Sequence, residues 1–127
     1  MAVLKKSKAP AKVKGSHYLL DFFGCDSNEL NSMAFWREHV VNASDVSGLE
    51  ILKSDFHQFK PFGITGFLIL STSHISFHTW PENNYVACDV FSCGSESDTK
   101  KAVTYLKRHI THTRCEEKRV GRGYMVA

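Results

Sequence analysis

The sequence predicts an α+β domain: one antiparallel sheet carrying two helices on one face. Three observations carry this expectation. Short apolar, β-branched and aromatic runs alternate with helix-period segments in the order β-α-β-β-β-β-α-β. Tyr85 to Cys93 alternates Tyr85, Ala87, Asp89, Phe91 and Cys93 against Val86, Cys88, Val90 and Ser92, the period of a strand with two distinct faces. The 127 residues, 43% of them hydrophobic and nine of them Phe, suffice for one core and are too few for two ordinary domains. The sheet face away from the helices still carries apolar residues and needs a cover. A homodimer is therefore expected, pairing two sheets into an α/β/β/α sandwich.

Each element follows from local signals. His17 to Phe23 is apolar and aromatic-rich, is bounded by Gly24, and reads as a buried strand. Asp26 or Ser27 caps a helix running to about Val41, with Leu30, Met33, Ala34 and Val41 as its apolar stripe and Glu29 in the favourable first turn. Asn42 to Gly48 reads as a loop. Leu49 to Phe59 is a second strand, Pro61-Phe62-Gly63 a turn, Ile64 to Leu70 a third strand and Ser73 to Trp80 a fourth. Pro81-Glu82-Asn83-Asn84 connects to the fifth strand, Tyr85 to Cys93. A helix from about Thr99 to Ile110 presents Ala102, Val103, Leu106 and Ile110, and a last strand runs from about Thr113 to Val120.

Composition excludes several classes of function. Residues 1–14 hold five Lys and no acid, and read as a basic, disordered leader ahead of a single domain over 15–127. Without those five, eleven basic residues face thirteen acidic ones, so the domain itself is slightly acidic despite the overall +3. No aromatic residue interleaves the leader lysines, so no nucleic-acid partner is expected. There is no run of 18 apolar residues and no apolar signal core, so neither membrane insertion nor secretion is expected, and the location is read as cytoplasmic. Cys25, Cys88, Cys93 and Cys115 form no CxxC pair and read as free thiols. His74 and His78 are four residues apart, but on a strand that spacing does not converge on an ion; no metal is expected.

The chemistry concentrates in Ser73-His74-Ile75-Ser76-Phe77-His78-Thr79-Trp80-Pro81-Glu82. A serine opens a strand, a histidine follows five residues later, and the thiol of Cys93 comes twenty residues after the serine. Singly, each residue has an ordinary structural reading. Ser73 and Thr65 suit strands, Cys93, Phe59 and Trp80 suit a core, His78 suits a sheet, and Glu82 suits a solvated turn. Together they form a pattern. With HYLLDFFGCD from His17 to Asp26, His57-Gln58-Phe59, Gly63-Ile64-Thr65-Gly66 and Asp89-Val90-Phe91-Ser92-Cys93-Gly94, the segment resembles the small prokaryotic S-adenosylmethionine decarboxylase proenzymes. The likeness runs in order from about Gly15 to Gly123.

The resemblance implies a chain that cuts itself between Thr72 and Ser73, giving a β chain, 1–72, and an α chain, 73–127. Ser73 becomes a pyruvoyl group, which forms a Schiff base with a substrate amine and accepts electrons as carbon dioxide leaves. It further implies His78 as the acid–base group of processing, Thr65 as its support and Cys93 as proton donor to the substrate carbon. Phe59 is implied as the aromatic stacking on adenine, and Glu82 as the carboxylate gripping the ribose. Strand alternation sets Ser73 with Ile75, Phe77 and Thr79, opposite His78; a site shared between two subunits resolves that separation, as would a bulge that reorients one of the two.

The chain departs from the family pattern where Thr72 replaces a Glu, removing a negative charge beside the cut. The expected substrate is a cationic amino acid, S-adenosylmethionine first and arginine or ornithine second. An unprocessed, non-catalytic regulatory homologue is the remaining alternative.

Overall fold

The computed structural model describes residues 11–126, and the side-chain surroundings of residues 14–123. Six strands form one sheet: β1 (Ala11–Phe23), β2 (Ile51–Gln58), β3 (Ile64–Leu70), β4 (Ser73–Trp80), β5 (Tyr85–Ser92) and β6 (Arg114–Val126). Their order across the sheet is β2-β3-β4-β5-β1-β6, and every neighbouring pair is antiparallel. Three helices, α1 (Ser27–Leu30), α2 (Met33–Ser47) and α3 (Glu96–His109), accompany it, and a 3-10 turn, Pro81–Asn83, joins β4 to β5. The expected α+β class holds, and the six strands follow one another along the chain as expected, with three helices in place of two.

The core lies between the helices and one face of the sheet. Tyr18, Leu20 and Phe22 of β1, Ile75 and Phe77 of β4, and Val86, Cys88 and Val90 of β5 meet Trp36, Val40 and Ala43 of α2 and Ala102, Val103 and Leu106 of α3. Each large apolar side chain buried here contributes roughly 1.5–3 kcal/mol. Trp36 is fully buried and stacks on Phe77 with ring centroids 4.4 Å apart. Gly66 of β3 lets Phe77 and Phe56 close over it; a Cβ there would lie 2.3 Å from Phe77 Cε2 and 2.6 Å from Phe56 Cδ2.

Several boundaries differ from the sequence expectation, for local reasons. The first helical stretch is two helices. Asp26 caps α1 by accepting from the Asn28 and Glu29 N–H groups, and Ser32 starts α2 afresh by accepting from Phe35 N–H. The expected loop over 42–48 is the end of α2. Ser44 and Ser47 donate back to the carbonyls of Val40 and Ala43, so polar residues that read as loop stay helical. Gly48, at φ 73°, ends the helix. The buried stripe is thus Trp36, Val40, Ala43, Ser44 and Ser47, while Ala34 is exposed and Val41 only partly buried. Helix α3 begins at Glu96, where Ser95 accepts from Asp98 N–H.

The terminal strands are longer than expected because they pair with each other from Ala11↔Val126 to Phe23↔Arg114. Residues 11–14 are therefore strand, which corrects the reading of 1–14 as one disordered leader; the rest of that leader, 1–10, lies outside the described residues. The helices cover only one face of the sheet. On the other, Phe67, Ile69 and Val120 are 40%, 41% and 45% exposed beside His17, His74 and Asp89.

Candidate active site

The predicted site residues fall into two groups at opposite ends of β4. The first surrounds the Thr72–Ser73 peptide. A two-residue turn, Ser71-Thr72, links β3 to β4, with Leu70 opposite Ser73. Ser73 is also opposite Ser92 of β5, so the fourth strand starts where the fifth ends. Ser73 takes φ 148°, a region L-residues other than glycine rarely adopt, at a cost on the order of 1–3 kcal/mol. The strain sits in the residue whose peptide nitrogen would be released by the cut. Cys93 N–H donates to the Thr72 carbonyl oxygen at 2.9 Å. The carbonyl that Ser73 would attack therefore already faces a fixed backbone donor.

Cys93 follows β5 directly and is the one exposed thiol of the four. The others are protonated structural groups. Burial pushes Cys25 up to about 11 and raises Cys88 and Cys115. All four are free, as expected.

The second group centres on His78. In the β3–β4 ladder Thr65 lies directly opposite it, and Thr65 Oγ1 is 2.5 Å from His78 Nδ1. When Nδ1–H donates to the threonine, Nε2 is left to take a proton. Burial holds the imidazole below its ordinary 6.5, against the opposing charge of Glu82, so it is neutral at pH 7. The Phe59 ring is 5.6 Å from His78, Trp80 meets it edge-on at 4.2 Å, and His57 meets Phe59 at 4.5 Å. Phe59 N–H donates to the Gly63 carbonyl at 2.8 Å, which anchors this aromatic at the end of β2 although its ring is exposed. Glu82, in the turn after Trp80, is exposed.

Ser73 and His78 are five residue steps apart along the strand, about 16 Å at ~3.3 Å per residue. The strand beyond Ser73 also presents two faces. Ile75, Phe77 and Thr79 are buried toward the helices, whereas His74, His78 and Trp80 belong to the uncovered face. One chain thus gathers Thr72, Ser73 and Cys93 at one end, and Thr65, His78, Phe59 and Glu82 at the other.

Sequence reading missed two contributors. Ser92, fully buried, donates to Thr72 Oγ1 at 3.0 Å. Tyr85 stacks on Trp80 at 5.1 Å and donates to Asp21 at 2.6 Å, and burial with that carboxylate lifts its phenol to about 12. Only cross-strand register reveals either; along the chain they read as ordinary strand residues. His74, left without a role by the sequence, stacks on Phe67 at 5.1 Å and tilts against Phe91 at 5.6 Å.

Among the described residues, no group of three or more His, Cys, Asp or Glu side chains is placed to hold a metal ion, and no helix is long and apolar enough to cross a membrane.

The family model for S-adenosylmethionine decarboxylase matches residues 16–123. A curated S-adenosylmethionine decarboxylase proenzyme of Persephonella marina is 41% identical over 112 residues, 88% of this chain and 84% of that protein. One of Clostridium botulinum is 37% identical over 112 residues, again 88% of this chain and 97% of its relative. The crystal structure of the adenosylmethionine decarboxylase of Aquifex aeolicus superimposes with a TM-score of 0.82 at 34% identity, covering 87% of this chain and 91% of that one.

Proposed function

From the premise that the chain belongs to the S-adenosylmethionine decarboxylase family, pyruvoyl-dependent lyases of polyamine biosynthesis made as proenzymes, we propose that it cuts itself at Thr72–Ser73 and decarboxylates S-adenosylmethionine. The observation that carries this is the Thr72–Ser73 peptide itself, strained at Ser73 and donated to by Cys93 N–H at 2.9 Å.

Processing begins when Ser73 Oγ attacks the Thr72 carbonyl carbon. The C–N bond breaks, the amide becomes an ester, and the Ser73 nitrogen takes the proton. Cys93 N–H stabilises the negative charge that develops on the Thr72 oxygen, as a preorganised donor does in acyl transfer. Relief of the φ 148° strain favours the same step. His78, neutral and oriented by Thr65, then removes the Ser73 α-proton. Thr72 departs as a carboxylate, and hydrolysis of the resulting dehydroalanine releases ammonia.

The Ser73 corner fits the pyruvoyl group this generates. Its carbonyl arises at the strand start, beside an exposed thiol on the adjoining strand end. When formed, the group supplies the electron sink for the carbanion left by carbon dioxide loss. Cys93 Sγ delivers the proton to the substrate carbon. Phe59, exposed and backed by His57, gives a face for the adenine ring, and Glu82 accepts from the ribose hydroxyls.

His78 cannot reach Ser73 within one chain, so we assign the complete site to a homodimer. Two copies pack their uncovered sheet faces together, and the His78 end of one meets the Ser73 end of the other. The exposure of Phe67, Ile69 and Val120 on that face supports this arrangement.

Carbon dioxide release from carboxyl-labelled S-adenosylmethionine, arginine and ornithine by purified protein tests the proposal. Turnover of the sulfonium substrate, nearly abolished in Cys93→Ala although that variant still cuts, is the expected result. Preference for arginine or ornithine would make Thr72, lacking the family acid, a mark of changed specificity. No release from any of the three would favour a non-catalytic homologue.

A further inference from the structure

Ser92 lies on the helix-facing side of β5, in line with Val86, Cys88 and Val90, yet it is a hydroxyl with no exposure at all. A buried hydroxyl is costly unless it is bonded. This one is bonded twice, in one direction. Gly94 N–H donates to Ser92 Oγ at 2.9 Å, and Ser92 Oγ donates to Thr72 Oγ1 at 3.0 Å. The next residue, Cys93, donates its N–H to the Thr72 carbonyl at 2.9 Å. Ser92 and Cys93 therefore grip the residue before the cut at its side chain and its carbonyl, and Gly94 braces Ser92.

Gly94 completes the fit. A Cβ at that position would lie 3.2 Å from Ser92 Oγ and 3.6 Å from Thr72 Cγ2. The preceding residue is held separately, Ser71 N–H donating to the Glu50 carbonyl at 2.9 Å. The turn leading into the peptide that must be attacked is thus held at two successive residues.

We propose that Ser92 is a positioning residue for self-cleavage, acting through the Thr72 hydroxyl to hold the scissile carbonyl on the Cys93 N–H. The inference rests on the self-cleaving reading and adds to it a residue and a reason for Thr72. A Glu at 72 has no β-hydroxyl to accept from Ser92. The short Thr72 side chain accepts directly from Ser92, and the polarised chain from Gly94 N–H through Ser92 strengthens that bond.

The test is the time course of cutting in newly translated full-length chains, resolved on denaturing gels. Ser92→Ala should slow cutting about tenfold, the effect of losing one buried hydrogen bond that orients the reacting group. Thr72→Val should slow it equally, and the double variant no further, since both remove the same contact. Ser92→Thr keeps the hydroxyl and should restore most of the rate. The same substitutions placed in uncut Ser73→Ala chains should lower the thermal midpoint by no more than a few degrees, roughly the cost of one buried hydrogen bond, separating positioning from folding. Cutting of Ser92→Ala at the parental rate, additive slowing in the double variant, failure of Ser92→Thr to rescue, or a large fall in thermal midpoint would each overturn the assignment while leaving self-cleavage intact. A parental chain that never cuts would remove the self-cleaving reading, and this assignment with it.

Discussion

Replacing Thr65 with Val removes one hydroxyl and keeps a β-branched side chain on a strand, so the fold should tolerate it. The lost contact is the 2.5 Å pairing with His78 Nδ1, in a half-buried setting. Such a bond is worth about 0.5–1.5 kcal/mol net. Among the described residues, nothing else hydrogen-bonds the His78 ring, and the neighbouring Phe59 and Trp80 contacts constrain its plane without selecting its tautomer. Full general-base catalysis is worth about 10²–10⁴-fold, and loss of orientation forfeits only part of it. The expected result is about tenfold slower elimination, one decade per ~1.4 kcal/mol. Because ester formation does not need His78, uncut chain should accumulate as the ester. Hydroxylamine under denaturing conditions cleaves esters and spares amides, so quenched samples of Thr65→Val should yield hydroxylamine-sensitive full-length chain. Thr65→Ser should behave like the parent. Parental cutting rates in Thr65→Val, or slow cutting without any hydroxylamine-sensitive chain, would refute the assignment of Thr65 to His78.

The elimination step should speed up with rising pH and level off once His78 is neutral. Burial sets that midpoint below the ordinary 6.5, which a cutting rate measured against pH will show. Stability should follow the same groups. Burial holds His39, His74 and His78 below 6.5 in the folded chain, so the unfolded chain binds more protons in acid. Their neutral forms cost nothing above pH 6.5; stability is lost as pH falls below 6.5 toward the depressed folded values, measurable by denaturant titration of Ser73→Ala chains. Gly66→Ala should destabilise by about 1–3 kcal/mol, because its methyl would overlap Phe77 and Phe56; a midpoint within error of the parent would show that β3 can shift away.

The strands were legible because their signals are local. Alternation and flanking turns place β3 and β4 to the residue, and Ala102, Val103 and Leu106 of α3 are buried as expected, with Ile110 buried at its C-cap. Helix α2 was misread because Ser44 and Ser47 satisfy their hydroxyls on the helix's own carbonyls, so polarity there does not signal a loop. The ends of β1 and β6 were misjudged because each is stabilised by the other across more than ninety residues of sequence, beyond the reach of any window. For the site, strand parity already separated Ser73 from His78, and the structure sets them at opposite ends of β4. Ser92 stayed hidden because its role depends on the register Ser73↔Ser92, which a single sequence does not display.

The most direct test of self-cleavage at a strained Thr72–Ser73 peptide is the intact mass of freshly purified protein under denaturing conditions. Two fragments dividing between Thr72 and Ser73, the second beginning with a pyruvoyl group, are predicted, together with a single uncut chain from Ser73→Ala. A single full-length mass from the parental protein would contradict the account at its root.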